Sequence, residues 1–277
     1  MIDAVYEASP LKRRRMTKAE IKQLEAQILD VLAEDNPQSV RHVFYRMTDP
    51  RLPVPIEKTE AGYDQVQRRM VEMRRSGTLP HGDIVDHTWS GYHTPTFSCA
   101  EDFVRRMAGY YRVNLWAQSD WHREVWAESR SIAGVLQEDC EDLAVSLYPR
   151  GGFSSLSLAY EAAEQMRQQG KPVKIFYIGD YDPAGVLIDV ALEHELRKHL
   201  IDWDLDFRRI AITKEQIAEY DLPGKPRKEG DRRARREAEA MPAAILRQMV
   251  REHVEALLPP SALEITKVAE ESERSYF

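Results

Sequence analysis

Asp180 and Asp182 stand one residue apart, directly after the apolar run Lys174-Ile175-Phe176-Tyr177-Ile178-Gly179. A run rich in β-formers reads as a buried strand. Pro183 suits the first turn of a following helix, where its missing N–H costs nothing. Strand, acidic loop and helix make half of a βαβ unit, and open α/β sheets bind ligands just beyond the carboxyl ends of their strands. Two carboxylates there suit Mg2+, an ion that takes oxygen ligands, keeps several waters and works beside a substrate phosphate. The plainer alternative is that Asp180 caps the helix and Asp182 is a solvated turn residue. A third carboxylate changes the balance. Glu128 follows the short strand pattern Glu124-Val125-Trp126-Ala127, and loops at one edge of a parallel sheet converge. Three carboxylates in one place repel unless a divalent cation sits among them, so the cluster itself argues for metal. Metal among carboxylates, where the substrate is a nucleic acid, implies phosphoryl transfer, with the ion steadying charge on the phosphate and the leaving oxygen.

The α/β pattern that must position these groups begins near residue 123. After Glu128 a helix passes through Ile132, Val135 and Leu136, and residues 143–147 read as a second strand. Arg150-Gly151-Gly152-Phe153 makes a glycine loop without the Gly-Lys-Ser/Thr of a phosphate-binding loop. A helix from about 155 to 169 is closed by Gly170, and the strand 173–178 leads into a helix with Val186, Ile188, Leu192 and Leu196. Residues 207–212 read as a fourth strand. Strands alternating with helices predict a mostly parallel sheet with right-handed crossovers. The basic segment 223–236 reads as a loop running into a helix, and a last amphipathic helix carries Ile245, Met249, Val250 and Leu257.

Ahead of this unit lie a basic arm (1–16) and three short helices. Thr17 and Glu20 have capping-box spacing, and Ile21, Leu24, Ile28 and Leu32 share one face. A second helix holds Val40, Val43, Phe44 and Met47. A third starts at Thr59, turns Tyr63, Val66, Met70 and Met73 inward and ends at Gly77. Arg68, Arg69, Arg74 and Arg75 lie on or near its outer surface. A polar, aromatic stretch from Leu79 to Phe97 is compatible with a hairpin. Three helices and a hairpin over residues 17–97 fit a winged-helix DNA-binding domain as well as a small helical domain with a solvated arginine face. Residues 98–122 form a helix with Phe103, Met107, Tyr110 and Tyr111, then a connector, before the α/β domain of 123–277.

With 277 residues, 43% hydrophobic and 31% charged, the composition is that of a soluble globular protein of one large or two modest domains. No apolar run approaches the roughly 20 residues of a membrane span. No apolar run follows the basic N-terminal residues, so a signal peptide is not expected. A cytoplasmic location is expected. Cys99 and Cys140 lack the company of a disulfide framework or zinc site and read as packing residues. The net charge of −7 is unevenly spread: residues 1–100 hold 14 Lys+Arg against 14 Asp+Glu, and the rest holds 25 against 32. A neutral first part with clustered arginines still allows DNA binding. His194-Glu195-Leu196-Arg197-Lys198-His199 has one residue too many for a zinc-protease motif and reads as a solvated helix face.

The motifs taken together carry a resemblance. Glu128 after a strand, a glycine loop, then Asp180-Tyr181-Asp182-Pro183-Ala184-Gly185 resembles a Toprim domain, in the Asp-x-Asp-Pro-x-Gly form of the topoisomerase VI A subunit and its meiotic double-strand-break relative. The run from Ile212 to Pro223 is similar to that family too. Ser39-Val40-Arg41-His42-Val43-Phe44-Tyr45 resembles its Arg-x-x-Tyr-Tyr element, with Phe44 in place of the first tyrosine. Ser129-Arg130 stands where a lysine is common in the family. The resemblance covers roughly residues 17–270 and implies an α/β Toprim domain with a mostly parallel sheet, preceded by a helical winged-helix domain, in a short stand-alone form. It implies Mg2+ (alternatively Mn2+) held by Glu128, Asp180 and Asp182. It also implies Tyr45 as a nucleophile on double-stranded DNA, giving 5′-phosphotyrosyl double-strand breaks as a type IIB topoisomerase A subunit does. Arg41, one turn earlier, would lower the Tyr45 pKa or hold the phosphate. In the family the tyrosine of one subunit meets the metal site of another, which implies a homodimer, and a complete topoisomerase VI needs a separate ATPase subunit. Two alternatives stay open. One is a hydrolytic metal-dependent endonuclease, as in plasmid defence, with Tyr45 as a DNA contact. The other is a non-cleaving DNA-binding adaptor.

Overall fold

Helix α1 (Lys18–Glu34) begins where Thr17 and Glu20 exchange hydrogen bonds, Glu20 N–H donating to Thr17 Oγ1 at 3.2 Å and Thr17 N–H to Glu20 Oε2 at 2.7 Å. It buries Leu24, Ile28, Val31 and Leu32. Helix α2 (Val40–Met47) is capped by the Ser39 hydroxyl, and α3 (Glu60–Arg75) by Thr59. The chain leaves α3 through Gly77, whose φ of +76° suits a residue without Cβ. Val43, Phe44, Met47, Val66, Met70 and Met73 close one core among the three helices. The computed structural model describes residues 16–85, 94–108, 110–149, 156–181, 185–224, 236–274 and 276, with only the backbone of 156–158 and 185–188. Residues 1–15 of the basic arm, 86–93 of the stretch expected to form a hairpin, 150–155 with the expected glycine loop, Asp182 and the basic segment 225–235 lie outside the described residues.

In the stretch expected to form a hairpin, the described strand is β2 (Ile84–Val85). It pairs in parallel with β1 (Gln38–Ser39), the residues just before α2. Helix α4 (Ala100–Ala108) follows. Its Phe103 and Met107, and Tyr110 beyond it, are exposed.

The second unit is built on one sheet of strands β3 (His122–Ala127), β4 (Ser146–Pro149), β5 (Val173–Ile178) and β6 (Leu205–Ala211). They are all parallel, in the spatial order β4-β3-β5-β6. Helices α5 (Arg130–Asp142), α6 (Leu156–Gln168) and α7 (Gly185–His199) make the crossovers. Period-two alternation divides the two faces. Val125, Ala127, Phe176 and Ile178 pack with α5 and with α9 (Ala243–Glu255), whereas Trp126, Ile175 and Tyr177 pack with α6 and α7. Helices α8 (Lys214–Glu219) and α10 (Ala262–Arg274) complete the described elements. The fold is therefore mixed α/β with a parallel four-stranded sheet, as the alternating pattern predicts. Among the described residues no helix is long and apolar enough to cross a membrane.

Two expectations are corrected. The strand expected at 143–147 lies three residues later. Leu143 closes α5, and Ala144 turns the chain with φ +50°, so the apolar Leu143 and Val145 are core residues of a turn. Helix α10 goes unseen in the sequence, because Pro259-Pro260 reads as a stop and its apolar anchoring is slight, with Leu263 packed against the α/β core. Ile265 and Val268 are exposed, and polar contacts hold it, with Lys267 on Asp142 at 3.1 Å and Glu270 on Arg112 at 3.1 Å.

The two units dock through a few specific contacts. Arg247 of α9 reaches Asp35 and the Pro37 carbonyl at the end of α1. A 3₁₀ turn, Ala238–Ala240, runs between the units; Ala240 is buried in the helical core and the next residue, Met241, in the α/β core.

Candidate functional site

From β3 the chain turns towards β4, and from β5 it turns towards β6, on the other side. The carboxyl ends of these two neighbouring strands therefore frame a crevice, the place where such sheets bind ligands. Ala127 is level with Ile178, and Glu128 N–H donates to the Ile178 carbonyl at 2.8 Å. That register carries the Glu128 side chain across to the next strand, where its Oε2 accepts from Asp180 N–H at 2.8 Å and from the Tyr177 hydroxyl at 3.4 Å. Gly179 makes the approach feasible. A Cβ at this position would stand 2.5 Å from Glu128 Oε2 and 2.7 Å from the Tyr177 ring, closer than atoms tolerate. Asp180 Oδ1 in turn accepts from Ala238 N–H at 2.9 Å, so the 3₁₀ turn lies against the strand end. The structure thus brings Glu128 and Asp180 together, as the sequence suggests.

Two further carboxylates come with the turn. Glu237 and Glu239 are both buried, and Glu239 accepts hydrogen bonds from the Ser129 and Ser131 hydroxyls at the start of α5. Burial, and then the charges of Glu239 and Glu128, push the Asp180 carboxyl up to about 7; the Ala238 N–H opposes this, and Glu237 adds to it. Among the described residues no group of three or more His, Cys, Asp or Glu is arranged to hold a metal ion, and Asp182 lies outside them. The donor chemistry nonetheless fits a hard divalent cation. It consists of oxygens alone, and a cation would relieve the mutual repulsion that holds the proton on Asp180. Glu128 and Asp180 are the described residues that would hold it.

Helix α2 delivers the other half of the site. The Tyr45 hydroxyl donates to Glu237 Oε2 at 2.8 Å, and Arg41 Nη1 donates to the same oxygen at 2.7 Å. Residues four apart on a helix lie on one face, so Arg41 and Tyr45 approach the carboxylate together. The Arg41 guanidinium also lies 4.6 Å from the Tyr63 ring centroid. Tyr45 is 5% exposed. Burial first, and then the Glu237 charge, raise its pKa well above the usual phenol value; Arg41 works in the expected downward direction but is outweighed. The hydroxyl reaches a carboxylate of its own chain, whereas the resemblance implies a meeting between subunits. A cleft of about 970 Å³ opens beside it, lined by Tyr45, Arg46, Lys58, Arg236 and Glu239 among others.

The four arginines of α3 do not act alike. Arg68 and Arg75 are exposed, with no carboxylate partner among the described residues. Arg69 pairs with Glu25 at 3.3 Å and Glu72 at 2.6 Å, and Arg74 donates to His81 at 3.3 Å. Of the cysteines, Cys140 is buried in the core as expected, but Cys99 is exposed before α4. Sequence reasoning misses Glu237 and Glu239. Their signal is an acid pair at i, i+2 just before a helix (Glu237-Ala238-Glu239-Ala240-Met241-Pro242), without a preceding strand to mark it as a sheet-edge loop. Compared with known proteins, the chain matches no family model and no curated protein.

Proposed function

We propose that this protein cleaves double-stranded DNA by tyrosine transesterification, with Tyr45 as the nucleophile, in the manner of a type IIB topoisomerase A subunit. One observation carries the reading. The Tyr45 hydroxyl rests on Glu237, next in sequence to the residue whose N–H binds Asp180 at the carboxyl end of β5. A phenol and a carboxylate pair thus meet at the crevice where an α/β sheet binds its ligand. In this reading the helical unit is a winged-helix domain and the α/β unit a Toprim domain. Glu128, Asp180 and Asp182 hold Mg2+ or Mn2+, which when bound stabilises charge on the scissile phosphate and the leaving oxygen.

The chain's own residues do the rest. The Asp180 N–H and the Tyr177 hydroxyl orient Glu128, and the Ala238 N–H orients Asp180. Arg41 lies beside the attacking hydroxyl, where a cation also serves an incoming phosphate. Arg68 and Arg75, exposed and without a carboxylate partner among the described residues, supply sequence-independent backbone contacts. Transesterification keeps the bond energy in the phosphotyrosyl link, so the break can be resealed without ATP. One tyrosine cuts one strand, so a double-strand break calls for a homodimer, and strand passage for a separate ATPase partner.

The second reading is a metal-dependent endonuclease in which water attacks and Tyr45 only positions DNA. It is favoured by the protonated, carboxylate-bound state of the Tyr45 hydroxyl. Supercoiled plasmid with Mg2+ or Mn2+, run with and without protease digestion, separates the two. Relaxed circles, or linear DNA that enters the gel only after protease, absent with Tyr45→Phe, support transesterification. Free nicked or linear DNA from both proteins supports hydrolysis, and no cleavage by either supports an adaptor.

A further inference from the structure

The proposed reaction needs a destination for the Tyr45 proton, because a phenol with an ordinary pKa of about 10 is a weak nucleophile at neutral pH. Metal ligands are poor candidates, since their lone pairs are committed to the ion. The geometry points to Glu237 as the catalytic base that receives the Tyr45 proton, with Arg41 as the residue that positions that carboxylate. This rests on the reading of Tyr45 as nucleophile.

Three features of the contact support it. Its length, 2.8 Å, is that of a normal O–H···O hydrogen bond, so the proton already points at Glu237 Oε2. The carboxylate is buried and sits at the entry to a 3₁₀ turn, at a fixed place between the two units. Arg41 bonds the same oxygen from the same helix as Tyr45, which holds the carboxylate in register with the phenol. Among the described residues, the charged or titratable groups that act on Glu237 include Arg41 and Tyr45 from α2 and Asp180 from the end of β5, with Glu239 two residues on in the same turn.

The step balances as follows. A bond forms between Tyr45 Oη and the scissile phosphorus as the bond from phosphorus to the DNA 3′ oxygen breaks. The tyrosine proton passes to Glu237, and the departing 3′ oxygen keeps the bonding electrons and takes a proton from water. Glu237 then releases its proton to solvent, or returns it to the phenol on resealing.

The test is single-turnover formation of the covalent protein–DNA adduct, with Mg2+ and a DNA duplex, by the full-length chain. It compares wild type, Glu237→Gln, Glu237→Asp, and Glu237→Gln carrying 3,5-difluorotyrosine at position 45. Base catalysis contributes on the order of 100-fold or more, so Glu237→Gln should slow adduct formation by about that factor, with Glu237→Asp in between. The more acidic difluorophenol should restore most of the loss. Melting temperatures, expected to match, show that all variants are folded. A wild-type rate in Glu237→Gln overturns the assignment. So does a slow variant that the fluorinated phenol leaves slow, for Glu237 would then serve structure alone. A wild-type chain that cuts DNA without forming an adduct overturns the nucleophile reading itself, and the wild-type lane distinguishes that failure from the other two.

Discussion

Two acidic regions of this molecule handle charge in opposite ways. Between α5 and α9, Asp139 and Asp142 each meet bases. Asp139 takes Arg251 at 2.5 Å and Arg247 at 3.6 Å, and Asp142 takes Arg251 at 3.2 Å and Lys267 at 3.1 Å. At the crevice, acid meets acid. Asp180 is surrounded by Glu128, Glu237 and Glu239, and its carboxyl is pushed up to about 7. Asp139 is as buried as Glu237 and Glu239, so burial alone does not separate the regions. Their partners do. Paired charges in a helix–helix interface hold two elements together, whereas like charges at a strand end destabilise the fold and mark a place that awaits a cation or a proton.

The contrast can be broken most sharply at Asp180. Asp180→Asn should lower Mg2+-dependent DNA cleavage by about 100-fold or more, measured on supercoiled plasmid, while raising the melting temperature in metal-free buffer. The stability gain has a defined pH window. In the folded chain Asp180 keeps its proton up to about pH 7, but unfolded only to 3.8. Wild-type stability thus falls as pH rises from near 4 to near 7, and the advantage of Asp180→Asn should appear across that window and vanish below it. Equal melting temperatures at pH 8 would show that the acids do not strain the crevice.

Asp139→Ala should do the reverse. It strips the Arg251 and Arg247 guanidinium groups of a buried partner and should cost about 2 kcal/mol. Chemical denaturation reads this loss, and plasmid cleavage should remain at the wild-type rate. Loss of cleavage without loss of stability would erase the distinction between the regions. The smallest effect is expected on α3. Arg68→Ala or Arg75→Ala should weaken DNA binding a few-fold, whatever the sequence, and reduce the slope of log K against log salt by about one. An Arg69→Ala change, which removes a side chain already paired with Glu25 and Glu72, should alter that slope less.

The strand before Asp180 and the one before Glu128 are legible in the sequence because a buried parallel strand must be a short, nearly continuous apolar run. The caps at Thr17, Ser39 and Thr59 are local chemistry; the first is read from its capping-box spacing, and the last as the residue that starts its helix. What stays hidden depends on contacts far apart in the chain. Glu237 lies 192 residues from Tyr45, and nothing near either residue announces the hydrogen bond between them. Likewise α10 is held by Asp142 and Arg112, distant partners that leave no apolar period to detect. The strand at Ser146–Pro149 is misplaced in the sequence because Leu143 and Val145 look like strand residues but serve the core from a turn.

The central claim is that Tyr45 becomes covalently attached to DNA. The most direct measurement is to stop a Mg2+ reaction on duplex DNA with denaturant, digest the DNA to single nucleotides and map the modified peptide by mass spectrometry. A 5′-linked nucleotide on Tyr45, absent when Glu128→Ala or Asp180→Ala is used, is the predicted result. Cleaved DNA with an unmodified Tyr45, or a nucleotide on a different side chain, would contradict the account.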